Sequence, residues 1–130
     1  MTQEIRMYAS PVTAVDRTLT LGKATSRAAV SLGLTGKALA EVIGVSEPTV
    51  SRIKRGELGI DPESKSGELS LLLVRAFRSL DALVGGDDEK RKLWMSTRNR
   101  ALDGVPTDLV KRADGLVRVV SYLDVMRAPS

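Results

Sequence analysis

Between Ser46 and Arg55 the sequence SEPTVSRIKR sets hydroxyls, a carboxylate and three cations around two aliphatic residues, Val50 and Ile53. On a helix, Val50 and Ile53 share the inward face, which leaves Ser46, Glu47, Thr49, Ser51 and Arg52 on the open side. Those groups can read DNA. Arg52 can donate two parallel hydrogen bonds to a guanine edge, Glu47 can accept from cytosine, and Thr49 and Ser51 can serve bases or phosphates. Lys54 and Arg55 stand at the helix end, where a cation suits both the helix dipole and a phosphate backbone. Lys37 begins the preceding helix and is a further phosphate candidate. Each cation taken singly is equally a solvated surface charge; their gathering on one face favours DNA contact.

The elements that must position these groups span residues 35–56, TGKALAEVIGVSEPTVSRIKRG. The pattern predicts two short helices and a tight turn, a helix-turn-helix. Ala40 is small where two helices cross. Gly44, four residues on, can take the left-handed conformation that ends the first helix. Leu39, Ile43, Val45, Val50 and Ile53 form the core between them. Thr35 caps the first helix and Ser46 the second, and Pro48 is tolerated in a first turn whose amides lack intrahelical partners. The plainer alternative is an ordinary helical hairpin with a glycine turn.

Composition narrows the chemistry. The 130 residues contain no cysteine and no histidine. A disulfide scaffold, a thiolate metal site and histidine-based catalysis or ligation are therefore ruled out within this sequence. Asp87, Asp88 and Glu89 are adjacent acids at a helix start, where capping explains them better than a metal or acid–base site. Gly85-Gly86 lacks the Lys-Ser or Lys-Thr pair of a phosphate loop. The expectation is a protein that is not an enzyme and needs no cofactor or metal. No apolar run approaches a membrane span and the N-terminus lacks a signal-peptide pattern, so a cytoplasmic location is expected. The net charge of +4 is spread along the chain: nine basic and seven acidic side chains lie in residues 1–66, eleven and nine in 67–130. Charge thus supports the DNA reading only weakly, and the motif carries it.

The chain reads as all-α, an N-terminal helix-turn-helix followed by a small helical part. Residues 1–10 read as a flexible start, 11–60 as the DNA-binding domain and 67–130 as a second helical domain. Apolar spacing predicts a helix from Pro11 to about Leu32, which Gly22 bends or divides. The segment ELGIDPESKSG has the composition of a linker. Residues 68–84 follow as a helix with Leu69, Leu72, Leu73, Ala76, Phe77, Leu80 and Leu83 at steps of three and four, a stripe widened by Leu71 and Val74. So broad an apolar girth wants cover on two sides, and predicts a homodimer with this helix near the interface. Pro106 opens a short helix to about Arg112. The last helix presents Leu116, Val119, Val120, Leu123 and Met126 as one stripe. Val117, Tyr122 and Val125 lie partly outside it, which suggests a second contacted surface.

Trp94-Met95, Asn99-Arg100, Leu102, Pro106, Asp108-Leu109-Val110, Asp114-Gly115, Arg118-Val119 and Leu123 together resemble the toxin-binding domain of the Xre/MbcA/ParS antitoxins. The likeness spans roughly residues 68–127, and the order of DNA-binding part before toxin-binding part is also that family's. The resemblance implies an all-helical, usually dimeric antitoxin. It would neutralise a RES-domain toxin, an enzyme that destroys NAD, and repress its own operon by binding operator double-stranded DNA. It implies too that the C-terminal helices and the chain end lie against the toxin near its active-site entrance. Arg100, Arg118, Arg127 and Ser130 then join Val117, Tyr122 and Val125 as candidate toxin contacts. Trp94 reads as core rather than contact, and Asn99 and Pro106 as a cap and a turn. The arginines are otherwise exposed charges, and Asp124 or the terminal carboxylate is an equally good partner for a cationic pocket. Two other readings stand beside the antitoxin: a stand-alone transcription regulator whose C-terminal half only dimerises, and an interaction module that has kept the helix-turn-helix as scaffold.

Overall fold

The computed structural model describes residues 13–129, and within them the fold is all-α with no named strand. The expected flexible start, residues 1–10, lies outside the described residues, as does Ser130. Seven helices follow in order: α1 (Ala14–Ser31), α2 (Gly36–Ile43), α3 (Glu47–Lys54), α4 (Lys65–Leu83), α5 (Asp88–Ser96), α6 (Pro106–Leu109) and α7 (Ala113–Arg127). Helix α4 runs through the middle. It packs against α1 and α2 on one side and α7 on the other, and one continuous hydrophobic core joins Leu21 to Leu123.

The helix boundaries follow from capping chemistry. Thr13, Thr35, Ser46, Ser64 and Asp87 each accept a hydrogen bond from an amide of the first turn they precede, which satisfies a donor the helix cannot. Thr13 and Asp16 bond reciprocally as a capping box. Helix α1 is not divided at Gly22. It is continuous, and the glycine sits where Ile53 and the Leu58–Gly59 backbone press on the helix. Helix α6 is shorter than the expected run to Arg112 and gives way to turns at Val110.

The linker-like segment is pinned down rather than loose. The Ile60 amide donates to the Thr18 carbonyl at 2.9 Å, and the Ile60 side chain is buried. Gly59 lies so close to α1 that an added Cβ would fall 2.5 Å from the Thr18 carbonyl carbon. Ser64 then starts α4 at Lys65, earlier than the expected 68.

The girth of α4 does not go uncovered. Leu73, Val74, Ala76 and Leu80 are buried within the chain. Leu71 and Leu83, expected in the stripe, are exposed instead, while Ser70 and Ser79 are buried. Small hydroxyls at these positions let neighbouring helices approach more closely than leucine would allow.

A buried cation ties the two halves together. Arg91, 6% exposed, donates from Nε to the Ser31 carbonyl at 2.8 Å. Its two terminal nitrogens reach Asp81 at 2.7 Å and Asp88 at 2.5 Å, and its guanidinium stands 5.5 Å from the centre of the Phe77 ring. The ends of α1 and α4 and the start of α5 therefore meet on one charge. A buried charge is tolerable only when it is paired and hydrogen-bonded in this way.

Candidate functional site

The helix-turn-helix forms as its residues require. Gly44 takes φ 72°, ψ 40° at the end of α2, a conformation costly for residues with a Cβ. Leu39, Ile43, Val50 and Ile53 are buried and Val45 packs against them. That burial fixes the outward face of α3. Glu47, Ser51, Arg52, Lys54 and Arg55 are exposed along it, and so is Lys37 at the start of α2.

Not all of these groups are equally free. The Ser46 hydroxyl accepts from the Thr49 amide at 3.2 Å and lies 2.9 Å from the Thr49 hydroxyl. Those two side chains hold the helix start and each other. Arg55 pairs with Glu57 through two parallel bonds, both 3.1 Å. These bonds hold the Glu57 carboxyl below its usual pKa and raise that of Arg55. Any anion that binds this guanidinium must compete with Glu57. No ion pair is formed by Lys37, Arg52 or Lys54 among the described residues. Arg52 stands exposed in the last turn of α3.

The second candidate face lies on α7. Its inner side, Gly115, Leu116, Val119, Val120 and Leu123, is buried. Gly115 allows the helix to pass α6, since a Cβ there would fall 2.0 Å from the Leu109 carbonyl oxygen. Val117 and Val125 point away, 48% and 73% exposed, with Ser121 between them on the same line of the helix. Met126, expected in the inner stripe, is exposed too.

The polar residues proposed for this face divide. Arg100 is exposed with no hydrogen bond to another side chain among the described residues. Arg118 donates to the Leu102 carbonyl and so braces the loop before α6. Arg127 reaches the Ser79 hydroxyl at 3.3 Å. Asp124 is taken up as well, by Arg75 at 2.6 Å and Ser79 at 3.0 Å. Tyr122 is half-buried and stacks on Trp94, ring centres 6.4 Å apart. The loop at residues 97–105 closes through Asn99, whose side chain accepts from the Leu102 amide while its backbone pairs with Gly104.

Sequence reasoning missed Arg91 and the Arg75–Asp124–Ser79 cluster. Arg91 carries a faint sign of its role, because it stands three and four residues before Trp94 and Met95 on a face otherwise turned inward. Among the described residues no group of acids could hold a metal ion, and no helix is long and apolar enough to cross a membrane.

Two family models match the chain. That of the antitoxin Xre-like helix-turn-helix domain matches residues 11–75, and that of the antitoxin Xre/MbcA/ParS C-terminal toxin-binding domain matches residues 79–128. The short gap between the two matches, residues 76–78, falls inside α4. Comparison with curated proteins finds no match.

Proposed function

The chain belongs to the Xre/MbcA/ParS antitoxin family, and from that premise we propose how it acts: it neutralises a RES-domain, NAD-degrading toxin by laying the outer face of α7 over the approach to the toxin's active site. The observation that carries this reading is the pair of exposed valines, Val117 and Val125, on a helix whose opposite side is already buried. Apolar side chains aligned on a free face mark a contact surface. Inhibition is steric, by exclusion of substrate. Arg100 lies on the same part of the chain and supplies a free cation for an acid at the toxin's rim.

Through α3 the same protein binds its operator in the cytoplasm and represses its own operon, with Arg52 reading a base and Lys37 and Lys54 holding phosphates. A homodimer suits a two-fold operator. Leu71 and Leu83, which α4 leaves exposed on different sides, are apolar contacts open to it. Sedimentation at micromolar concentration tests the dimer, and a monomer there would exclude it.

The test of toxin binding uses the full chain. A purified RES-domain toxin consumes NAD, and wild-type protein in excess is expected to stop it. The double variant Val117→Asp, Val125→Asp should relieve the inhibition while its denaturation midpoint stays near that of wild type. Undiminished inhibition by that variant would move the contact elsewhere. No inhibition by wild type, with DNA binding intact, would leave a stand-alone regulator.

A further inference from the structure

A small cleft lies between α1 and the C-terminal end of α3. It has a volume of about 270 Å³ and is lined by Lys23, Ser26 and Arg27 from α1, and by Ile53, Lys54, Arg55 and Gly56. Lys23, Ser26 and Arg27 fall at steps of three and four on one side of α1, beside the buried face that meets α3. The cleft thus collects four cations from two elements. Among the described residues the one acid bonded to any of them is Glu57, which holds Arg55. Lys23 and Arg27 form no ion pair among the described residues.

A second observation points the same way. The Ser26 hydroxyl is buried, yet it has no hydrogen-bond partner. A buried donor without an acceptor is unusual, and it is unfavourable unless something supplies the acceptor. In the same helix Thr25 satisfies its own hydroxyl on the Leu21 carbonyl at 2.7 Å, so the helix offers that solution and Ser26 does not take it. Like charge gathered around an open acceptor position is arranged for an anion. The cleft is smaller than the roughly 300–1,000 Å³ of sites for organic ligands, so it suits a phosphate group rather than a whole nucleotide.

We propose that this cleft is a second DNA contact, in which Lys23, Ser26 and Arg27 hold the sugar–phosphate backbone beside the groove that α3 enters. The assignment rests on the DNA-binding reading above. It extends the contact surface from α3 onto α1, and it gives Arg55 a phosphate to exchange for Glu57. It carries no base readout, because cations that stand beside the groove meet phosphate oxygens rather than base edges.

The test measures binding to a random-sequence duplex across a range of salt concentrations. Lys23→Gln with Arg27→Gln replaces two exposed side chains, and circular dichroism checks that the fold is retained. The slope of log affinity against log salt should become shallower by about 0.9 for each phosphate that the variant no longer neutralises. The weakening should be the same for all sequences. Ser26→Ala should weaken binding several-fold with the slope unchanged, since a neutral donor releases no counterion. An unaltered slope in the double variant, with wild type bound normally and Arg52→Ala impaired, would overturn the cleft but not the DNA reading. Wild type that binds no duplex at any salt would overturn both. Sodium phosphate is the second probe. Saturation of Lys23 and Arg27 amide shifts by millimolar phosphate, together with an unaltered duplex slope, would make this a free-anion site and overturn the DNA assignment.

Discussion

The two ends of the molecule use their exposed side chains in opposite ways. Along α3 the structure consumes little: Ser46 and Thr49 hold the helix start and Arg55 holds Glu57, while Glu47, Ser51, Arg52 and Lys54 stand free. In the C-terminal half most polar candidates are already committed. Arg118 braces a loop, Arg127 and Asp124 share Ser79, and Tyr122 stacks on Trp94. What remains free there is one cation, Arg100, and two apolar side chains, Val117 and Val125. The difference fits the two targets proposed for these faces. A nucleic acid is met by charges and donors that water solvates until contact, whereas a protein surface is met by apolar area and a rigid frame.

The contrast is of surfaces, and the shared core limits it. The largest expected effect tests that limit. Leu123 is fully buried on α7, and Leu123→Asp should cost about 4 kcal/mol or more, because an unpaired carboxylate cannot be accommodated there. Denaturant titration should show the whole chain unfolded, with DNA binding abolished. Retained DNA binding would mean that the halves fold separately. Next comes the seam. Arg91→Ala removes three hydrogen bonds from a buried charge and should lower stability by about 2–4 kcal/mol. The cost stays at that level because Asp81 and Asp88 keep access to water. A change under about 0.5 kcal/mol would make the seam ornamental.

Smaller effects separate the faces. Arg52→Ala should weaken operator binding by about 1–3 kcal/mol and relax preference at one base pair, with toxin inhibition untouched. Val125→Asp should do the reverse, with stability changed by no more than about 0.5 kcal/mol, as is usual for an exposed site. If either variant disturbs both activities equally, the surfaces are not separate. The smallest effect is in pH. The folded pKa of Glu57 is depressed, so its favourable pairing with Arg55 is present above the ordinary carboxylate pKa and fades as pH falls through the lowered value. Both groups are exposed to solvent, so the midpoint of unfolding should scarcely move. The Arg55 side-chain resonances should shift below pH 4.5 in wild type and not in Glu57→Gln.

Local chemistry is what a sequence declares most openly. The caps at Thr35 and Ser46, the left-handed Gly44 and the aliphatic core between α2 and α3 each involve residues a few positions apart, and all stand where their spacing places them. What escaped were partnerships across distance. Arg91 meets a carbonyl sixty residues earlier, and Asp124 meets a serine forty-five residues earlier, so neither pattern repeats at a helical period. The linker-like composition of residues 57–67 concealed Ile60 for a related reason. Glycines that mark a loose segment in one chain mark a close approach in another, and Gly59 is the second kind. Among the family-like positions, Met95, Leu102, Pro106, Val110, Gly115, Val119 and Leu123 are buried. These letters of the signature therefore describe the frame, and the proposed contact face was legible only from the apolar residues left over on α7.

Helix α4, clasped on both sides, has one more consequence. A chain with a single core melts as a single unit, so whatever binds one end holds the other. A partner present at a hundred times its dissociation constant adds about 2.7 kcal/mol to the native state, wherever it sits. Trp94, the lone tryptophan, lies far along the chain from α3, yet its fluorescence should report a higher melting temperature when duplex occupies the recognition helix.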